Sequence, residues 1–251
     1  MSQYRYTVKT AQLLGARERQ EDTVSASSSE LFVQRGMLLV LADGMGGMAN
    51  GHLFSQLVSE QMQQTFCILD PMTEMSRMLW QCFEMTQQRA AAMNEHAEEE
   101  GGTTLVAVLI RDGRCTFLSV GDSRLALIRN GGLIWLNRPQ VMSIRLDENV
   151  ALGYLRQEDV QGSALRDALT TFVGSSTAVS CDVCTESFSL VPGDRIALMS
   201  DGITGTLDER TLLSLLMMPK ESATDAIIQA VKLKNKPEQD NASIVLVVVD
   251  S

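Results

Sequence analysis

The sequence has little of what marks secreted, membrane-spanning or multidomain proteins. It contains only five prolines, and no long Ser/Gly-rich or charge-rich stretch could serve as a linker. Residues 1–10 lack the apolar segment of a signal peptide. The longest apolar runs, such as Ile244–Val249, are too short to cross a bilayer. We therefore expect a single domain over residues 1–251, located in the cytoplasm and not in a membrane.

Cysteines and positive charge are also scarce. The five cysteines are irregularly spaced, which fits a reducing compartment better than a disulfide framework. Cys181 and Cys184 form a C-x-x-C pair, but without a second pair zinc or redox chemistry is the weaker interpretation. The formal net charge of -10 argues against nucleic acid as a partner, because a phosphate backbone requires a cationic face. An acidic protein can still bind phosphate if metal ions supply the positive charge.

Short apolar runs and tight turns predict antiparallel strands. The continuous apolar run at 37–42 is typical of a buried strand, and the segments 195–199 and 243–249 also indicate strands. An Asp-Gly turn at 112–113 joins the runs 104–110 and 115–120 in a hairpin. A second hairpin is expected over 125–136. Because strands occur in runs separated by helix pairs, the pattern indicates an α+β fold in layers.

Helical periodicity predicts four helices, and one region resists assignment. Apolar residues recur at helical spacing over 53–66 and 75–85, and Pro71 is expected in the first turn of the second helix. Glu98 to Glu100 is expected to be the solvated end of that helix. Two more helices are expected at 208–217 and 224–232. The region 137–171 has weak periodicity and is too long for an ordinary loop, so it is either a small helical insert or a functional flap.

Acidic residues recur at the ends of the predicted strands. The positions are Glu21, Asp22, Asp43, Asp122, Asp201 and Asp240. If strand ends brought them together, these carboxylates would repel one another unless cations lay between them. Hard oxygen ligands suit Mg²⁺ or Mn²⁺ better than zinc, and two such ions about 3.5–4 Å apart could activate a shared water. Gly46 and Gly47, after Gly44, would let backbone carbonyls approach an ion. The alternative is that each acid is a separate turn residue.

Six ordered segments resemble the motifs of the PPM/PP2C family of metal-dependent Ser/Thr protein phosphatases, in its compact bacterial form. They are 15–22 (GARERQED), 42–47 (ADGMGG), 102–104 (GTT), 120–124 (VGDSR), 199–202 (MSDG) and 239–243 (QDNAS). The resemblance extends from about Gly15 to Val249. It implies a four-layer α-β-β-α sandwich in which two antiparallel sheets are flanked by helix pairs.

The resemblance also implies site residues and cofactors. Asp43 would bridge two Mn²⁺ or Mg²⁺ ions, the Gly44 carbonyl would bind one, and Asp201 and Asp240 would hold the other. Glu21 and Asp22 would orient water or ligate directly. Asp122, with Asp201, matches a third, more weakly bound ion, and Arg17 matches the arginine that grips substrate phosphate.

The implied reaction is hydrolysis of phosphoserine or phosphothreonine in proteins by a metal-bridging water, opposing a cytoplasmic Ser/Thr kinase. No cysteine lies in a C-x5-R loop, which agrees with water as the nucleophile. A Thr-x-x-His-Ser signature is missing at 137–143, so the flap ligand of a third ion is open; Asp147 and Asp159 are candidates. His52 is interpreted as a surface or helix-start residue. A catalytically silent phosphoprotein-binding module and a hydrolase of small phosphorylated metabolites are the alternatives.

Overall fold

The computed structural model of the chain describes residues 5–45, 50–95, 100–163 and 165–250. Its strands are β1 (Arg5–Leu13), β2 (Asp22–Ala26), β3 (Met37–Asp43), β4 (Leu105–Arg111), β5 (Arg114–Val120), β6 (Arg124–Arg129), β7 (Gly132–Trp135), β8 (Asp182–Val183), β9 (Phe188–Ser189), β10 (Arg195–Met199) and β11 (Ala242–Asp250). Its helices are α1 (Ser29–Arg35), α2 (Gly51–Ile68), α3 (Met75–Asn94), α4 (Met142–Ala151), α5 (Gln157–Val160), α6 (Asp201–Thr204), α7 (Glu209–Leu216) and α8 (Ala223–Leu233).

The strands form two antiparallel sheets. Within the described residues, one sheet has the order β1-β11-β10-β6-β7 and the other the order β2-β3-β4-β5-β8, with β9 paired to β5. The two β-hairpins expected from the sequence, β4-β5 and β6-β7, are both present. In the part of the chain with coordinates, no helix is both long and apolar enough to span a bilayer.

Three apolar clusters show that the elements stack in four layers. On β3, Leu38 and Val40 pack against α2 and α3, whereas Leu39 and Leu41 face the other sheet. The same alternation holds on β11, whose even-numbered residues from 242 to 248 pack with residues of α7 and α8. These strands are buried on both faces, which is why their sequences are continuous apolar runs. The predicted four-layer α-β-β-α fold is confirmed.

Several local expectations differ from the structure. The polar segment at the N-terminus forms β1, because pairing with the apolar β11 along its whole length overrides its composition. Pro71 precedes α3 by four residues; the helix instead begins after Glu74, whose carboxylate accepts hydrogen bonds from the Ser76 and Arg77 amides. α1 was not expected. Gly46, Gly47, Glu98 and Glu99 lie outside the described residues.

The region 137–171 contains α4 and α5, as expected of a small helical insert. Its two ends are held together, since the Thr170 amide donates to the Gln140 carbonyl at 2.9 Å and Val141 pairs with Leu169. The Gln140 side chain also accepts from the Gly121 amide at 2.7 Å. The insert therefore emerges directly beside Asp122.

The C-x-x-C pair serves packing. Cys181 and Cys184 are both free thiols. Cys181 packs on the cluster between the β2-β3-β4-β5-β8 sheet and its helices, and Cys184 packs on the cluster between the sheets. The two side chains therefore point to opposite faces of β8, which agrees with the structural interpretation of this pair.

The layered core makes a stability test with two matched leucines possible. Leu198 on β10 is fully buried between the sheets, whereas Leu233 at the end of α8 is 82% exposed. We expect Leu198→Ala to lower the free energy of unfolding by about 3 kcal/mol, because a buried leucine leaves a cavity. Leu233→Ala should change it by less than about 0.5 kcal/mol. Urea denaturation of both variants measures this, and equal losses would contradict the assigned layers.

Candidate metal centre

Strand register brings the first two acids together. In the pairing of β2 with β3, Asp22 lies directly opposite Asp43. Side chains opposite one another on neighbouring strands are close, and like charges in such a pair repel. Because the pair is buried, the pKa of each carboxyl group is raised, which favours a proton on one of them.

The other sheet and the turn that connects the two sheets supply three more carboxylates at the same end of the sandwich. Asp201 starts α6 immediately after β10, Asp122 lies in the turn between β5 and β6, and Asp240 precedes β11. Asp201 is close enough to raise the pKa of Asp43, and Asp240 is close enough to raise the pKa of Asp22, Asp122 and Asp201. We call Asp22, Asp43, Asp122, Asp201 and Asp240 the acid cluster.

Crowding and burial hold protons on this cluster. Burial, followed by the charges of Asp22, Asp201 and Asp122, raises the pKa of Asp43 well above its usual value. Burial is also the main cause that raises the pKa of Asp122 to about 6 and that of Asp201 to about 7. Asp201 retains an exposed side, so solvent weakens the effect there. At neutral pH the cluster therefore holds protons that cations could replace.

Hydrogen bonds to neighbouring residues hold the cluster in place. Ser200 donates its hydroxyl to Asp22 Oδ2 at 2.9 Å, and the Ser243 amide in turn donates to Ser200 Oγ. The Asp43 amide donates to Thr104 Oγ1 at 3.1 Å. Asn241 accepts from the Glu21 amide at 2.7 Å. The sequence interpretation assigned no role to these residues, although each lies inside or beside one of the quoted motifs.

Gly44 is required by close backbone approach. A Cβ atom at this position would lie 2.4 Å from the Gly51 carbonyl oxygen and 2.8 Å from that of Glu21. The Gly44 amide donates to the Glu21 carbonyl at 3.1 Å. Only glycine therefore lets the chain turn from β3 towards α2 beside the acid cluster.

A basic rim faces the cluster. Arg17 donates to Asp240 Oδ2 at 2.7 Å, and both side chains are partly exposed. Arg19 contacts the His52 ring at 3.0 Å, and His52 lies in the first turn of α2, as expected of a helix-start residue. Burial raises the pKa of Glu21, although the nearby His52, Arg17 and Arg19 charges oppose this. Of the predicted catalytic residues, Asp22 thus belongs to the acid cluster, and Arg17 and Glu21 lie beside it.

The donor chemistry of the cluster fits hard divalent cations. Asp22 Oδ1 is buried and, unless a neighbouring carboxyl carries a proton, has no hydrogen-bond partner. Among the described residues, no three His, Cys, Asp or Glu side chains already stand in the arrangement of a metal shell. The hydrogen bonds above give the reason: Asp240 is held by Arg17 and Asp22 by Ser200. Ion binding would therefore require side-chain rearrangement of an otherwise suitable oxygen donor set.

Of the acids in region 137–171, the one near Asp122 is neither of the two candidates. Asp147 pairs with Arg166 at 2.8 Å, and Asp159 pairs with Arg156 at 2.6 Å. Neither Asp147 nor Asp159 lines the cleft that contains Asp122 and Asp201. Asp167, which the sequence interpretation did not consider, lies close enough to raise the pKa of Asp122. It also lines one cleft together with Asp122 and Asp201.

The raised pKa values make the metal-free protein sensitive to pH. A carboxyl whose pKa is raised on folding binds more protons in the folded state, so its contribution to stability is present at low pH and lost as pH rises through the folded pKa. In chelator, we expect Tm to fall between about pH 5 and about pH 8. A loss of about 2 kcal/mol in the free energy of unfolding, which allows for the solvent access of these carboxyl groups, corresponds to a fall in Tm of about 4–8 °C.

Asp43→Asn provides the matched comparison. In this variant Tm should depend less on pH and should exceed the wild-type Tm at about pH 8, because the negative charge of the most strongly perturbed carboxylate is absent. Asp225→Asn, on the exposed face of α8, should leave the dependence unchanged. A wild-type Tm that is constant over this range would rule out the carboxyl crowding.

Comparison with known proteins identifies the family. A model described as protein phosphatase 2C matches residues 18–239. A protein phosphatase 2C-type protein of Streptococcus pyogenes is 26% identical over 215 residues, which cover 84% of this chain and 85% of that protein. The serine/threonine protein phosphatase PstP of Mycobacterium tuberculosis is 28% identical over 233 residues, which cover 90% of this chain and 43% of that protein.

Solved structures of serine/threonine phosphatases share the fold of this chain. The S. agalactiae serine/threonine phosphatase has the same fold, with a TM-score of 0.83 at 22% identity over 98% of this chain and 100% of that chain. The catalytic domain of PstP, solved in complex with two manganese ions, matches with a TM-score of 0.74 at 26% identity over 99% of both chains. Because the family model covers most of the sequence, the chain belongs to the protein phosphatase 2C family and is a serine/threonine phosphatase of that type.

Proposed function

We propose that this protein hydrolyses phosphoserine and phosphothreonine in proteins at the acid cluster, with Mn²⁺ or Mg²⁺ as cofactor. The observation that carries the proposal is the convergence of acids from two sheets at one end of the sandwich, with Asp22 directly opposite Asp43 and Asp201 close enough to raise the pKa of Asp43. The manganese bound to the related PstP domain supports it. We further propose that it acts as one domain over residues 1–251, with a flap at 137–171, and opposes a cytoplasmic Ser/Thr kinase.

The ligands of two ions are proposed from these carboxylates. Asp43 and the Gly44 carbonyl would hold one ion, and Asp43, Asp201 and Asp240 would hold the other, with Glu21 and Asp22 orienting water or ligating directly. Asp122, Asp201 and Asp167 would suit a third, more weakly bound ion. When bound, the ions supply Lewis acidity and lower the pKa of a shared water, so that water can attack phosphorus.

The chain's own groups would bind and orient the phosphate. The Arg17 guanidinium can contact two phosphate oxygens and stabilise the charge that spreads over them in the transition state. It now pairs with Asp240, so phosphate and Asp240 compete for the same cation. Ser200 and Thr104 keep the carboxylates in fixed positions by hydrogen bonds and need not touch the substrate.

Removing a carboxylate should abolish metal-dependent hydrolysis. We expect Asp43→Asn and Asp201→Asn each to lower kcat/KM for a phosphothreonine peptide at least about 100-fold, since a bound metal lowers the activation barrier by several kcal/mol. Activity titrated with Mn²⁺ and chelator measures this. Wild-type activity that survives excess chelator, or activity retained in both variants, would contradict the proposal. Faster turnover of sugar phosphates than of phosphopeptides would favour a hydrolase of small phosphorylated metabolites. Binding of phosphopeptides without turnover would favour a catalytically silent binding module.

Arg17 should affect metal and substrate in opposite directions. Arg17→Gln should lower kcat/KM about 10- to 100-fold through loss of a charged phosphate contact. The same change should leave Mn²⁺ binding unchanged or tighter, because Asp240 loses its competing partner. The rise of Tm with Mn²⁺ concentration reports binding independently of activity. Arg19→Gln is the control for general loss of positive charge, and weaker Mn²⁺ binding in Arg17→Gln would contradict the assigned competition.

A further inference from the structure

A cleft of about 610 Å³ opens beside the acid cluster. Asp122 and Asp201 line one end of it, and residues of β7 and of the start of α7 line the other. This volume is typical of sites that enclose a ligand group (about 300–1,000 Å³). A phosphorylated residue bound at the acid cluster would thus place its neighbours in the substrate chain at the mouth of this space, which we call the side cleft.

The side cleft has an apolar floor and a rigid aromatic wall. Leu207 and Leu212 are buried, and Trp135 is partly exposed. The Arg124 guanidinium stacks on the Trp135 ring, 4.1 Å from its centroid. Stacking fixes the position of the guanidinium but does not remove its charge, so Arg124 offsets one of the acids that line the cleft.

Carboxylates form the polar part of the side cleft beyond the acid cluster. Glu209 accepts a hydrogen bond from Trp135 Nε1 at 2.9 Å, which fixes the position of its carboxylate on the wall. Asp208 lies next to it and caps α7 by accepting from the Thr211 amide at 2.9 Å. With Asp167 on the flap side, three acids face one cation, Arg124. The cleft is therefore negative even where the catalytic ions would neutralise Asp122 and Asp201.

We propose that the side cleft binds an arginine or lysine side chain that flanks the phosphorylated residue of the substrate protein. The aliphatic stem of such a side chain would cover the Leu207, Leu212 and Trp135 surface, and its charged head would meet Glu209 and Asp208. The inference rests on the proposed function, because only catalysis at the acid cluster makes the side cleft a substrate subsite.

The test is a set of phosphothreonine peptides in which one flanking residue at a time is arginine, alanine or glutamate. The holoenzyme in Mn²⁺ should prefer arginine to alanine by about three- to tenfold in kcat/KM at one or more positions, as expected for a partly exposed charge pair. The preference should shrink as the salt concentration rises. p-Nitrophenyl phosphate, which has no flanking residues, reports the chemistry alone.

Two neutralising substitutions identify the residues responsible. Glu209→Gln keeps an acceptor for Trp135, and Asp208→Asn keeps a helix cap, so the double variant removes charge with little structural change. The double variant should reduce the ratio of kcat/KM for the arginine peptide to that for the alanine peptide to about one. Because it compares two peptides, this ratio is independent of any change in overall turnover. The matched control is Glu60→Gln with Glu84→Gln, which removes two exposed charges from the α2 and α3 layer. That variant should keep the wild-type ratio.

The outcomes separate the two proposals. Hydrolysis of every peptide without an arginine preference, or a preference that persists in the double variant, overturns the side-cleft assignment and leaves the proposed function standing. A preference for glutamate also overturns the side-cleft assignment, because it would mean that Arg124 binds an anionic side chain in the cleft. Failure to hydrolyse both the peptides and the aryl phosphate in Mn²⁺ overturns the proposed function, and the side-cleft assignment falls with it.

Discussion

Mutual repulsion among carboxylates is the constraint on which the site depends. Strand register sets Asp22 opposite Asp43, and the other sheet brings Asp201 and Asp240 towards them. An arrangement of this kind costs folding free energy unless protons or cations neutralise it. In the metal-free chain, the raised pKa of Asp43 favours its neutral form, and the Arg17 guanidinium pairs with Asp240. The same carboxylates can act as metal ligands once divalent ions replace the protons and the Arg17 contact.

The layered fold supplies the rigidity that this repulsion requires. β3, β10 and β11 are buried on both faces and cannot shift register without exposing apolar surface. Asp43, Asp201 and Asp240 lie at or next to the ends of these strands, where the backbone is fixed and the side chains reach the rim. Sites built at strand ends keep their geometry better than sites on free loops. The helical insert, anchored at Gln140, adds a further wall beside Asp122.

The sequence predicted the parts of the fold that local pattern determines. Continuous apolar runs identified β3, β10 and β11, and turn chemistry identified both hairpins. Those patterns could not reveal β1, whose strand state comes from pairing with β11, or the helix start at Glu74 rather than Pro71. Motif order brought the acidic residues into one hypothesis. It could not show that Arg17 pairs with Asp240 or that Asp167 is the flap acid near Asp122, because these contacts depend on tertiary packing.

Calorimetric titration of the metal-free protein with Mn²⁺, in buffers of different ionisation enthalpy, tests the central claim most directly. If the acid cluster holds protons that cations replace, two ions per chain should bind tightly and release protons into the buffer near neutral pH. Asp43→Asn should weaken both signals. Absence of Mn²⁺ binding, or binding that is indifferent to the buffer and to Asp43, would contradict the view that these carboxylates converge in order to hold cations.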